Sequence, residues 1–347
     1  MNRILTIIVL FFLFNTYSSA QSTRQVFEFE FDGVVLNGVL DLPKHQKPRG
    51  IVLIVHGSGT TNAVAQEWYS DVRETIVSTG YATYMWDKMG CGKSGGTFNY
   101  NQTVQSSASE VIAAINTLKE KQILGSEKIG LWGISRAGWI NPIVISQYGD
   151  IKFWISVSGV DAKENFKYLL KQNLRIDGLP KDSIALIVSE WVEGTKISHS
   201  GDDFETYQKS TPNLRKNKFW LRFTNGGITE EGYYFYQNTF MKEELDKKTG
   251  LQIYIKDFDS ILSNIHCPVL ALFGEKDMNV DWTKTKSLYE RTLGFNTDLT
   301  IKSFPNCNHN LFQSTTGGFY EFQDKNLPYE RCDGFLSSIE SWLNDRQ

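Results

Sequence analysis

The stretch KIGLWGISRAGWI, Lys128 to Ile140, decides the fold. Lys128 to Trp132 is a short apolar run of the kind buried on both faces of a parallel sheet, and Arg136 to Ile145 reads as a helix in spite of Pro142. Ser135 stands at the joint. A sharp turn from strand to helix crowds the flanking side chains, so it requires small neighbours, and Gly133 and Ala137 supply them. The pattern alone is loose, because Gly92-Lys93-Ser94-Gly95-Gly96 matches it equally well. Ser94 follows no strand directly and runs into a glycine turn. Context therefore selects Ser135 as the candidate nucleophile and leaves Ser94 as a loop serine.

Outward from this joint the chain repeats the same alternation. Phe27 to Phe31 and Val34 to Leu42 flank Asp32-Gly33, a pair that favours a tight hairpin turn. Gly50 to Val55, Tyr81 to Trp86, Phe153 to Val157 and Val269 to Phe273 are further buried-strand runs, and Leu299 to Ser303 is strand-like. Between them Ala108 to Lys121 places Val111, Ile112, Ile115 and Leu118 at helical spacing. Strands alternating with helices predict an α/β fold, a mostly parallel sheet with helices on both faces.

Composition bounds what this fold can serve. A chain of 347 residues accommodates one such domain with an insertion, and 36 basic against 39 acidic residues give no electrostatic reason to expect nucleic acid. At 41% hydrophobic and 22% charged, the composition is that of a soluble globular protein. Residues 1–20 read as an export signal: Arg3, an apolar run from Ile4 to Phe14 broken only by Thr6, then Ser18-Ser19-Ala20. The run is too short for a comfortable bilayer span. A periplasmic or secreted protein with no stable membrane span after signal cleavage is expected. The four cysteines, Cys91, Cys267, Cys307 and Cys332, show no metal-site spacing; outside the cytosol they form disulfides or remain buried thiols.

In open α/β sheets ligands sit outside the carboxyl ends of the strands. Those positions hold His56-Gly57-Ser58-Gly59, Asp87, Ser135, Asp277 and His309. A serine hydroxyl needs a base, and there are five histidines to choose from. His45 lies in an early polar loop and His199 in a polar stretch far from any strand end, and His266 precedes a strand and so falls at the opposite edge. His56 sits in a glycine-rich turn where backbone geometry accounts for it. His309 is left as the base. Asp277, at the end of Val269 to Phe273, is the carboxylate that would orient it, with Glu275 and Asp281 as competitors.

The order Ser135, Asp277, His309, with the elbow and the upstream His56-Gly57-Ser58-Gly59, resembles the α/β-hydrolase superfamily. Asp87-Lys88-Met89-Gly90-Cys91-Gly92-Lys93-Ser94 also resembles a structural loop of that family, D-x-x-G-x-G-x-S. Within it the chain is similar to bacterial serine-aminopeptidase, acylaminoacyl-peptidase and esterase-like hydrolases, over Phe27 to Val160 and Ile261 to Leu343. Ala137 stands where the elbow usually carries glycine. The resemblance implies an α/β-hydrolase fold, an oxyanion hole made by the backbone N–H groups of Ser58 and Arg136, and neither cofactor nor metal.

Residues 161–260 fit poorly as more sheet. Charge-rich, helix-like segments, Lys163 to Gln172 and Lys242 to Lys248, accompany an aromatic cluster that includes Trp220, Phe223, Tyr233 and Tyr236. This block resembles a mainly helical cap inserted between core segments 21–160 and 261–347. Its rings line a substrate pocket or form the cap's own core. The function expected is an exported serine hydrolase, carboxylesterase-like or peptidase-like, forming an acyl-enzyme on a small-molecule or peptide acyl substrate. The alternatives are a catalytically silent binding protein of the same fold, or a thioesterase or acyltransferase.

Overall fold

Eight strands form a single sheet in the order β1-β2-β4-β3-β5-β6-β7-β8. In the computed structural model the described residues are 22–346, apart from 101, 164, 240–243, 325, 326 and 328. The segment read as an export signal lies outside them. β1 (Ser22–Phe31) and β2 (Val34–Pro43) make the hairpin expected at Asp32-Gly33. Both turn residues have left-handed φ, 50° and 72°, as a type I′ turn requires. β2 runs antiparallel to β4 (Ala82–Trp86). From there β3 (Ile51–Val55), β5 (Ile129–Ile134), β6 (Ile151–Val157), β7 (Val269–Gly274) and β8 (Leu299–Phe304) continue in parallel.

Alternation along the strands separates two apolar layers. Ile51, Leu53 and Val55 face one side with Tyr84, Trp86, Ile129 and Leu131. There they meet α2 (Val104–Glu120), α3 (Ala137–Tyr148), α9 (Phe258–Ser263) and α10 (Trp282–Thr292). Val52, Ile54, Trp132 and Ile134 face the other side, against α1 (Ser70–Ser78) and α11 (Phe335–Asn344). Every residue of β3, β4, β5 and β7 is buried, which is why each reads as an unbroken apolar run.

Between β6 and β7 the chain leaves the sheet as a helical insertion: α4 (Phe166–Ile176), α5 (Lys181–Ser200), α6 (Phe204–Ser210), α7 (Lys218–Phe223) and α8 (Glu230–Thr239). It has a core of its own, built from Leu170, Leu174, Ile187, Trp191, Phe219 and Trp220. The helix expected over Lys242 to Lys248 does not form in its described part. Leu245 instead bridges Gln252, and the Asp246 carboxylate takes the Thr249 backbone N–H at 2.8 Å. A short side chain that captures a local N–H offers the backbone a turn in place of a helix.

Of the four cysteines, Cys307 and Cys332 are joined in a disulfide, while Cys91 and Cys267 are free. The bond ties the segment after β8 to the approach of α11. Closing a loop over a sequence separation of 25 stabilises the fold by about 3 kcal/mol on chain-entropy grounds. The double substitution Cys307→Ser and Cys332→Ser should therefore lower unfolding free energy by about that amount, read by urea titration without reductant. An unchanged midpoint would contradict the cross-link.

Candidate active site

The joint at Ser135 has the geometry its sequence demands. Ser135 takes a left-handed φ of 55°, which costs an L residue roughly 1–2 kcal/mol. Its N–H donates to Val157 O at 3.0 Å, and its carbonyl accepts from Gly138 N at 2.7 Å, so the turn is held from both sides. A Cβ on Gly133 would come within 2.6 Å of Ala137 Cβ and would also strike the Asn141 amide. Ala137 is itself fully buried.

Asp277 and His309 meet directly. His309 Nδ1 lies 2.7 Å from Asp277 Oδ2. A carboxylate can only accept, so Nδ1 carries the hydrogen, and in the neutral ring Nε2 keeps its lone pair. Asp277 Oδ1 takes the backbone N–H groups of Asn279 and Val280, each at 2.9 Å, which fixes the carboxylate in a fully buried position. Glu275 instead accepts from Ser303 Oγ at 2.7 Å, and Asp281 from Thr283 Oγ1 at 2.6 Å. The orienting carboxylate is thus separated from its competitors by contact. The Ser135 hydroxyl makes no hydrogen bond to the protein among the described residues.

The Ser58 and Arg136 backbone N–H groups also lack a protein acceptor among the described residues. Gly57 brings the first of them close: a Cβ on Gly57 would lie 3.4 Å from Ser135 Cβ. His56 is buried and its Nε2 donates to Trp86 O at 2.7 Å, joining the ends of β3 and β4. Burial, with the nearby Lys88 charge, pushes His56 down to about 3, so the ring is neutral and structural. Ser94 is a loop serine, its hydroxyl donating to Asp87 O at 2.6 Å and accepting from Asn37 N at 2.9 Å. Asp87 takes Val64 N at 2.9 Å and Lys93 N at 3.2 Å, so it organises loops, and it has no hydrogen bond to Ser135 or His309 among the described residues.

Sequence reasoning missed two residues around the pair. Ser158, with φ of 46°, leaves β6 as Ser135 leaves β5, and its hydroxyl donates to His309 O at 2.7 Å. The strand-end rule that selects Ser135 would have selected it too. Tyr168, from α4, donates its hydroxyl to Asp277 O at 3.0 Å and so ties the insertion to the Asp277 loop. No sequence signal marks that contact.

Inside the insertion lies a cavity of about 600 Å³ lined by Phe166, Trp191, Trp220, Tyr233, Tyr236 and Tyr254 among others. None of the described residues lining it is charged. Tyr254 packs on Trp139 with ring centroids 4.5 Å apart, one helical turn along α3 from the Ser135 joint. Four acidic residues of the insertion are engaged or exposed elsewhere. Glu190 accepts from Asn213 N, Asn213 Nδ2 and Leu214 N at 2.6–2.8 Å, Glu193 pairs with Lys196 at 3.5 Å, and Glu230 and Glu231 are exposed at the start of α8. Among the described residues no cluster of His, Cys, Asp and Glu could hold a metal ion, and no helix is long and apolar enough to cross a membrane.

A central sheet of this order, an elbow after β5 and a helical insertion after β6 define an α/β-hydrolase fold. Comparison with known proteins agrees. Residues 46–184 match the family described as serine aminopeptidase, S33, and residues 256–338 match the dienelactone hydrolase family. An esterase of Pyrococcus furiosus is similar in structure, with a TM-score of 0.54 at 15% identity over 93% of this chain and 91% of that one. A proline iminopeptidase of Mycobacterium smegmatis gives a TM-score of 0.53 at 14% identity over 92% and 98%. No curated protein matches the sequence.

The elbow itself can be tested apart from any activity. Gly133→Ala forces a methyl against Ala137 and Asn141 and should cost about 1–3 kcal/mol of stability, as overpacking does. Urea unfolding reads the loss. A midpoint equal to that of the parent protein would mean the joint is looser than its contacts imply.

Proposed function

We propose that the protein is an exported serine hydrolase that cleaves a carboxylic ester through an acyl-enzyme. The observation that carries this reading is the 2.7 Å His309–Asp277 bond on the same sheet edge as a serine in the left-handed elbow. Ser135 Oγ adds to the substrate carbonyl while His309 Nε2 takes its proton, and Asp277 stabilises the imidazolium that results. The Ser58 and Arg136 N–H groups receive the negative charge that develops on the carbonyl oxygen. His309 returns the proton to the departing alkoxide, and water then repeats the sequence on the acyl-serine.

The uncharged cavity favours an ester over a peptide with a free amino terminus. Binding an ammonium away from water requires a paired carboxylate, and Glu190, Glu193, Glu230 and Glu231 lie outside the cavity lining. An aromatic, neutral enclosure suits an apolar acyl or aryl group. Export is supported by the Cys307–Cys332 disulfide, since such bonds persist in oxidising compartments.

Ser135→Ala and His309→Ala should each lower kcat/KM by at least about a thousandfold, with the double variant little worse, because the residues act as a unit. Multiplicative losses would count against the assignment of Ser135 and His309 to one unit, and a wild-type protein that a fluorophosphonate probe fails to label would support a silent binding protein instead. For the cavity, Tyr236→Ala should shift relative kcat/KM toward longer acyl chains by about 1–3 kcal/mol. Phe235→Ala, at a ring 59% exposed, should leave the chain-length profile unchanged. Better turnover of aminoacyl amides than of neutral esters would overturn the ester assignment.

A further inference from the structure

Lys88 directly follows Asp87 in the loop after β4, and its ammonium reaches back to the turn beyond β3. It donates to Gly57 O at 2.6 Å and to Gly59 O at 2.9 Å. Two carbonyls from residues on either side of Ser58 thus converge on one cation. We propose that Lys88 is a positioning residue for the oxyanion hole, holding the Gly57–Ser58 peptide so that the Ser58 N–H faces the reacting carbonyl; this rests on the serine hydrolase reading above.

Elementary peptide geometry carries the argument. The described chain contains no cis peptide, and in a trans peptide the C=O and the following N–H point in opposite directions. With Gly57 O drawn to Lys88, the Ser58 N–H is turned to the other side of the same plane. That plane passes close to the nucleophile, because a Cβ on Gly57 would lie 3.4 Å from both Ser135 Cβ and Ile134 O. Little else restrains the turn. Among the described residues, the Gly57 and Gly59 carbonyls accept from Lys88 and, for Gly59 alone, weakly from Thr61 Oγ1 at 3.5 Å.

A glycine-rich turn left to itself would sample several peptide orientations, since glycine pays no side-chain penalty for doing so. Gly59 already uses that freedom, at φ of 89°. A charge-assisted bond at each end of the Gly57–Gly59 segment selects one orientation. The same cation also polarises the peptide it holds, since hydrogen bonds in series strengthen one another, and that makes the Ser58 N–H a better donor. Preorganised donors act on the transition state without reorganising, so the effect should fall on kcat and spare KM.

The surroundings add a second readout. Burial, reinforced by the Arg136 guanidinium, pushes the Lys88 ammonium down to about 8, against the opposing pull of Glu110 and Cys91. His56, across the turn, is neutral. Lys88 is therefore charged at neutral pH and loses its proton just above it. Turnover should decline on the alkaline side as the cation is lost.

The test compares Lys88→Met, Lys88→Gln and Lys88→Arg on a neutral aryl ester, together with inhibition by phenylboronic acid as a tetrahedral mimic. Lys88→Met and Lys88→Gln should lower kcat by about 10- to 100-fold, somewhat less than loss of an entire oxyanion donor. KM should stay within about threefold while boronate affinity falls in parallel with kcat/KM, as transition-state binding requires. Lys88→Arg should restore most of the rate and move the alkaline limb upward, because guanidinium does not titrate there. Melting curves identify any variant that is merely unfolded, and the conclusion is then read from the arginine variant's pH profile. Full turnover in folded Lys88→Met, beside none in Ser135→Ala, would overturn the inference and leave the hydrolase reading intact. A wild-type protein that neither turns over esters nor labels with fluorophosphonate would overturn both.

Discussion

The left-handed turn at Ser135 is the constraint on which the rest of the site depends. An L residue there forgoes roughly 1–2 kcal/mol, so the surrounding structure must make relaxation dearer still. The sheet does so by fixing Ser135 N to Val157 O in the neighbouring strand, and the helix does so by returning Gly138 N to Ser135 O. Side chains are excluded from the same volume. A Cβ on Gly138 would approach Gly159 Cα and Val160 N at 3.0 Å, so α3 begins almost in contact with the chain leaving β6. Small residues at 133, 137 and 138 serve one purpose, which is to let a strand become a helix in the middle of a packed sheet, while Gly159 makes room for the Tyr289 hydroxyl.

Neighbouring strands inherit that geometry. β6 also exits through a left-handed serine, and Ser158 converts its exit into an anchor for the His309 backbone. Its own N–H donates to Leu272 O at 2.8 Å, which fixes β6 against β7 two residues before β7 ends at Gly274. Asp277 then folds back so that its carboxylate caps Asn279 and Val280 while facing His309. The His309–Asp277 bond is therefore a product of register across β5, β6, β7 and β8. The disulfide at Cys307, two residues before His309, and Tyr168 from the insertion hold the same pair from outside the sheet.

Much of this was legible in the residues because its causes are local. Strands buried on both faces read as apolar runs, the hairpin is written in Asp32-Gly33, and Ser135 is distinguished from Ser94 by what precedes it. Asp277 and His309 follow from position at strand ends. What was not legible depends on contacts between residues far apart in sequence. Nothing near Tyr168 indicates that it will touch the backbone 109 positions later. The choice of Cys307 with Cys332 from the six pairs that four cysteines allow needs the approach of α11. The segment around Asp246 misled for a different reason: its charge pattern suits a helix, but one carboxylate satisfies a local N–H and ends the matter within a turn.

The loop from Asp87 to Ser94 shows why a motif that looks like a nucleophile elbow can matter without being one. Its aspartate gathers Asn37, Val64 and Lys93, its serine joins Asp87 to Asn37, and its lysine gathers Gly57 and Gly59. Gly92 is required because a Cβ there would collide with the Asp87 carboxylate. A buried charge is tolerated only when it is well hydrogen-bonded, and each of these two charges meets that condition by binding backbone from a different loop. Charge-assisted bonds of this kind are worth about 1.5–3 kcal/mol each, against roughly 1 for neutral ones. Glycine-rich loops that must approach a substrate closely cannot be held by their own side chains. Ions placed one loop away can hold them by the carbonyls, and doing so leaves the N–H groups facing the reaction.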